Sequence, residues 1–337
     1  MNNSNSSANV DSKNFKITIN FITDIIGYYI IPVVSLIGIC LNISTSFILK
    51  RKELKQYFYK YLWVKSIIDS LICLIGIGYF RSLCVKCQST KFNSYGILFY
   101  QWFVIKINLR TILMVSSLHE IYMITQRYLI IKGKNNWLLN IKLKFYVLFI
   151  FLIPILFSSV FFFSIDLVQE KDGSDLYTWN KSEFGETLLM KIWGIVVIVP
   201  SSIILVTILT VMNILTVKAF MGFLKNKRKI GNQGPSISIK KSDKRFTRIT
   251  ITLTCFYIIT ALSEDSVASF IRVINALKID VSSEVFHILN CIRQLTLLSI
   301  FSVHSFDVLI YIPNDKNLVK LMKKIIFGKQ QLRSKHR

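Results

Sequence analysis

Seven separate stretches of this 337-residue chain are apolar over the roughly twenty residues that a helix needs to cross a hydrocarbon layer. They run over residues 25–49, 60–80, 95–127, 144–166, 188–217, 247–271 and 284–312. No other feature restricts the fold as tightly. With 52% hydrophobic residues, the chain has too little polar surface to cover a soluble core and is too apolar for disorder. It shows no ten-residue alternation of the kind that marks membrane barrel strands. The expected fold class is an all-α membrane protein, a seven-transmembrane helix bundle.

Lys and Arg in the loops set the orientation. On one side, loops 50–60, 127–144 and 218–248 and the tail 313–337 carry +4, +5, +9 and +7, together +25. On the other, residues 1–24, 81–93, 167–187 and 272–284 carry 0, +3, −3 and 0. This contrast puts the N-terminus outside and the C-terminus in the cytosol. The formal charge of +24 is then a record of topology, with some attraction to anionic inner-leaflet lipid, and calls for no nucleic acid. Plasma-membrane localisation is the expectation.

Three segments follow. Residues 1–24 read as an extracellular tail whose polar start, MNNSNSSANVDSKN, is no cleavable signal. Residues 25–312 hold the bundle. Residues 313–337 begin with an amphipathic cytoplasmic helix and end as a basic tail. In that helix Leu318, Leu321, Met322, Ile325 and Ile326 share one face, and Lys316, Lys320, Lys323 and Lys324 lie mainly opposite, as in a helix resting on a membrane surface. Asn2, Asn5 and Asn180 open N-x-S sequons on the outer side and are glycosylation candidates.

Landmarks inside the spans are more specific. The first span holds Asn42 in GICLN and the second Asp69 in KSIIDSL. The third ends in ITQRYL with Arg127 and Tyr128, the fifth holds Pro200, and the sixth reads CFYIITALSE with Tyr257. The seventh ends in SFDVLIY with Asp307 and Tyr311. In this set and spacing the chain resembles the rhodopsin-like G-protein-coupled receptors from about residue 25 to 327, and within them invertebrate neuropeptide-type receptors. It departs from the family at Gln126, which replaces the acid before the arginine, at Ser263 in place of the sixth-span proline, and at Val308 in place of the seventh-span proline.

The resemblance implies that Arg127, Tyr128 and Tyr311 form the cytoplasmic switch that meets a heterotrimeric G protein. It implies that Asn42, Asp69, Ser116 and Asp307 line a polar core that in the family can hold Na⁺; no other cofactor is expected. Glu120 lies one turn from Ser116 and His304 three residues before Asp307, so acids and one imidazole should cluster. Several carboxylates in a low-dielectric core cannot all stay ionised uncompensated. A bound Na⁺, a shared proton or a charged His304 would each serve.

On the outer side the family's bridge from the third span is impossible, since Trp102 holds its position and residues 167–187 contain no cysteine. Cys84 and Cys87 can pair with each other instead. A metal there would need two further ligands, and none stands nearby. Leu109 occupies the position at which amine receptors carry an aspartate, which disfavours an amine ligand. Lys106, Arg110, Glu264, Asp265 and Arg293 either brace the bundle by pairing or line a wet cavity for a charged ligand, best a short peptide.

No H-E-x-x-H, G-x-S-x-G or P-loop occurs, so no enzyme is expected. The rival class is a channel or transporter using Asp69, Glu120, Glu264, Asp265 and Asp307. The absence of an internal repeat and the odd number of spans weigh against it.

Overall fold

The computed structural model describes residues 4–51, 54, 57–78, 96, 99, 103, 107–133, 141–169, 177–190, 192, 204–229, 247–252, 254–260, 267, 270, 282–310, 319 and 321. For residues 4–13, 57 and 224–229 it describes the backbone alone. Its first helix, α1 (Ser4–Ile25), passes through a π-helical turn, Ile26–Ile30, into α2 (Ile31–Leu49). Pro32 causes the turn. It has no N–H to offer the carbonyl one turn earlier, so the ladder slips and the Ile31 N–H reaches Ile26 O instead. The segment expected as a polar tail is thus helical from Ser4. Polar residues do not stop a helix, and no Gly or Pro lies between Ser4 and Ile25. Thr18 and Thr23 also donate back to the carbonyls of Asn14 and Ile19, keeping their hydroxyls within the helix.

Next come α3 (Tyr57–Gly78) and α4 (Leu109–Ile131). Past the end of α4, Gly133 takes φ 64°, a left-handed conformation that a glycine adopts at little cost, and its N–H meets Ile130 O. Helix α5 (Leu143–Ser159) runs through a 3₁₀ turn, Val160–Ser164, into a hairpin of β1 (Ile165–Gln169) and β2 (Tyr177–Lys181). The strands are antiparallel, with Leu167 opposite Trp179. Ser182 closes the hairpin base. Its hydroxyl donates to Phe163 O and accepts from Gly185 N, capping the short α6 (Glu183–Glu186). Helix α7 (Leu205–Lys229), helical residues 247–252 and 254–260, and α8 (Ser283–Phe306) complete the described chain.

Among the described residues, five helical stretches are long and apolar enough to cross a membrane: Asn14–Leu49, Phe58–Gly78, Leu143–Ser164, Leu205–Phe223 and Ser283–Phe306. Their surfaces match that setting. In α5 only Tyr146, Ile150, Pro154 and Ser158 are buried, one stripe at i, i+4, i+8 and i+12. Phe145, Leu148, Phe149, Leu152, Ile153, Ile155 and Leu156 point outward. A helix of this kind needs hydrocarbon around it. Helix α4 is the opposite. It packs against α3, α5 and α7, and its His119, Glu120 and Arg127 are buried.

Helices α2, α3 and α8 approach closely at two glycines. A Cβ on Gly38 would strike Ser305 Oγ and lie 2.7 Å from Cys73 Sγ. One on Gly76 would strike Ser35 Oγ and lie 2.7 Å from the Phe301 ring. Small residues at crossings are the usual means by which membrane helices gain van der Waals contact.

Candidate functional site

The close approach of α2, α3 and α8, with α4 against α3, encloses a buried ionic node. Its centre is Lys65, 2% exposed and eight residues, roughly 12 Å, into α3. Lys65 Nζ lies 3.0 Å from Asp69 Oδ1, 3.2 Å from Glu120 Oε1 and 2.8 Å from Asp307 Oδ2. Each contact has a structural reason. Lys65 and Asp69 are i, i+4 on α3 and so share a face. Glu120 is the middle residue of α4, as far from Leu109 as from Ile131. Asp307 follows the last residue of α8.

His304, one turn before Asp307, approaches Asp69 Oδ1 to 2.7 Å through Nδ1. A carboxylate only accepts, so Nδ1 carries the hydrogen of this bond. One carboxylate oxygen therefore receives both an ammonium and an imidazole. The sequence places Asp69, Glu120, Asp307 and His304 together, and the structure does bring all four into one cluster. It adds the cation that the sequence reading passed over. Lys65 is the first residue of KSIIDSL, and its i+4 spacing to Asp69 was the available signal.

Polar contacts continue around the node. Asn42 Nδ2 donates to His304 O at 2.8 Å, tying α2 to α8. Ser305 Oγ donates to Val34 O at 3.0 Å and lies 3.4 Å from Cys73 Sγ. The Tyr257 ring meets the His304 ring edge-on at 6.0 Å, and its hydroxyl lies 2.6 Å from Ser117 Oγ on α4. Ser116, expected in the polar core, is fully buried, and its Oγ has no hydrogen-bond partner among the described residues.

Seven residues along α4 from Glu120, Arg127 is buried with its guanidinium 4.2 Å from the centre of the Phe58 ring. Gln126, where the family has an acid, donates to Tyr122 OH at 2.7 Å, and that hydroxyl lies 3.0 Å from Tyr61 OH. Tyr146 packs on both tyrosines and hydrogen-bonds to His119 Nδ1. The sequence reading did not single out this tyrosine layer, which joins α3, α4 and α5. Tyr128 is half-buried near the end of α4.

The outward candidates do not form one group among the described residues. Arg110 is half-buried, with its guanidinium 5.7 Å from the Phe161 ring centre. Arg293 is exposed on α8, whereas its neighbour Gln294 is buried. Asn180 is exposed on β2, as a sequon asparagine should be, while the Ser182 hydroxyl of that sequon is engaged in the hairpin base. Lys106, Glu264, Asp265, Cys84, Cys87, Pro200, Tyr311 and Asn2 lie outside the described residues, as does the Asn5 side chain. Of the amphipathic tail helix, Val319 and Leu321 are described; both are helical, and Leu321 is buried against the core.

Asp69, His304 and Asp307 can each aim one ligand atom at a common point, the three atoms lying within 4.8 Å of one another. No protein-family model and no curated protein matches this chain, so these residues must carry the functional reading.

Proposed function

We propose that the chain is a divergent rhodopsin-like receptor that passes an extracellular signal, best a short peptide, to a heterotrimeric G protein. In this reading α4 and the helical residues 247–260 supply two further spans beside the five long apolar helices. The N-terminus is outside and the basic tail is in the cytosol of a plasma-membrane protein. The observation that carries the proposal is the ionic node itself. Three helices place five ionisable groups at one buried point, with Arg127 about 10 Å further along α4. Buried ion pairs stabilise little compared with apolar packing of equal volume. Their use here is to join helices that can take two arrangements, and a receptor needs such a bistable core. The outer charges and the acidic segment 170–186 suit a charged or amide-rich peptide.

The test is a neuropeptide library applied to cells expressing the chain, read by calcium and cyclic nucleotide. An active peptide should lose its signal in Arg127→Ala while surface expression persists. Full signalling by that variant would reduce Arg127 to an anchor at a helix end.

The same node favours a second reading, a channel or transporter, because intramembrane acids also mark ion paths. Reconstituted in a bilayer, the receptor gives no current without ligand. A steady ion current would select the rival.

A further inference from the structure

We infer that Lys65 is a tethered internal cation that stands where a bound metal ion would otherwise sit, so that the polar core of this chain works without sodium. The argument is geometric. Asp69, His304 and Asp307 present ligand atoms within 4.8 Å of one another, a spacing one ion can span. Lys65 Nζ already lies against two of those groups, 3.0 Å from Asp69 Oδ1 and 2.8 Å from Asp307 Oδ2, and reaches Glu120 as well. A second cation in contact with the same oxygens would sit only a few ångströms from the ammonium, inside a core where charge is weakly screened. Repulsion at that distance removes the gain of binding.

The side chain is only 2% exposed, and its stem rises from α3 one turn from Asp69. Removing the ammonium would uncover a site rather than merely break contacts. Asp69 Oδ2 and Asp307 Oδ1 are buried and have no hydrogen-bond partner among the described residues. With the oxygens that Lys65 would release, they form a hard oxygen set of the kind small cations prefer. The inference holds for a receptor or a channel alike, so its failure would leave the receptor proposal standing, and the reverse.

The experiment measures thermal unfolding of the purified full chain in detergent, with sodium chloride exchanged for choline chloride at constant ionic strength. The parent midpoint should not move. Lys65→Ala should unfold earlier in choline and show a saturable rise of several degrees with sodium, the signature of a ligand bound by the folded state. Lys65→Ala/Asp69→Asn should lose that rise. If Lys65→Ala does not fold in either salt, Lys65→Ala/Glu120→Gln, with one carboxylate fewer, is held to the same criterion. Sodium stabilisation of the parent chain would overturn the inference, since an ion would then share the node with Lys65. A folded Lys65 variant indifferent to sodium would overturn it equally.

Discussion

Replacing Lys65 by methionine should do more damage than neutralising any one of the acids it touches. The substitution keeps most of the side-chain volume and removes the ammonium. Three buried carboxylates then face one another, with His304 in contact with Asp69. Removing one partner from a buried ion pair costs about 3–5 kcal/mol, because the other charge stays buried and uncompensated. Neutralising one acid is different, because Lys65 keeps two carboxylates. The loss is then that of a charged hydrogen bond, about 1.5–3 kcal/mol at most. Among the acids Asp69→Asn should be worst, since Asp69 Oδ1 meets both Lys65 and His304. Glu120→Gln should be mildest, since its 3.2 Å contact is the longest of the three. At about 2 °C per kcal/mol for a chain of this length, Lys65→Met should lower the unfolding midpoint by about 6–10 °C and Glu120→Gln by about 3 °C. The double variant Lys65→Met/Asp307→Asn should be more stable than Lys65→Met, because it removes a carboxylate left without its partner. Circular dichroism of the detergent-solubilised chain in choline chloride measures all of these. If Lys65→Met unfolds no earlier than the acid variants, or if the double variant is worse than Lys65→Met, the ammonium does not hold the node together.

Three further outcomes are expected. Gly76→Leu should destabilise by about 1–3 kcal/mol or more, because its side chain must displace Ser35 and Phe301, whereas Gly222→Ala in open space should be close to neutral; unfolding midpoints compare the two. Asn42→Ala should cost about 1–2 kcal/mol through the orphaned His304 carbonyl, and an unchanged midpoint would show that α2 and α8 do not depend on that bond. An epitope ahead of Met1 should be labelled on intact cells and one after Arg337 should not; the reverse would end the receptor proposal.

The sequence made the membrane class legible because twenty-residue apolar runs have few other uses. The receptor resemblance implies that Asn42, Asp69 and Asp307 meet in the core, and Glu120 and His304 stand within a turn of Ser116 and Asp307, which is why the node was foreseeable in outline. Lys65 was missed because it lies within an apolar run and was read as part of that run rather than as a charge in need of partners. Arg293 and Gln294 show another limit. Neighbouring helical residues point about 100° apart, so periodicity gives the stripe but a small error in phase exchanges the buried residue for the exposed one. The hairpin of β1 and β2 lies in a segment read for its charge, its sequon and its lack of cysteine, although IDLVQ and YTWNK carry the β-branched and aromatic residues that favour strands. The helix of residues 4–24 was not legible, because its polar residues carry no apolar periodicity to announce it.

That first helix has a mechanical consequence. Asn14–Leu49 is 36 residues of uninterrupted helical stretch, roughly 54 Å, against a hydrocarbon layer of about 30 Å. Even a tilt of about 40°, at the steep end of what such helices adopt, accommodates only some 26 residues. About ten must therefore leave the oily layer while still presenting Phe15, Ile17, Phe21 and Ile22 on their surface. The π-helical turn at Ile26–Ile30 lies just past this overhang, and α1 leans on α8, which ends at the ionic node. A helix longer than the layer ties its tilt to bilayer thickness, and α1 packs against α8, the helix that carries His304.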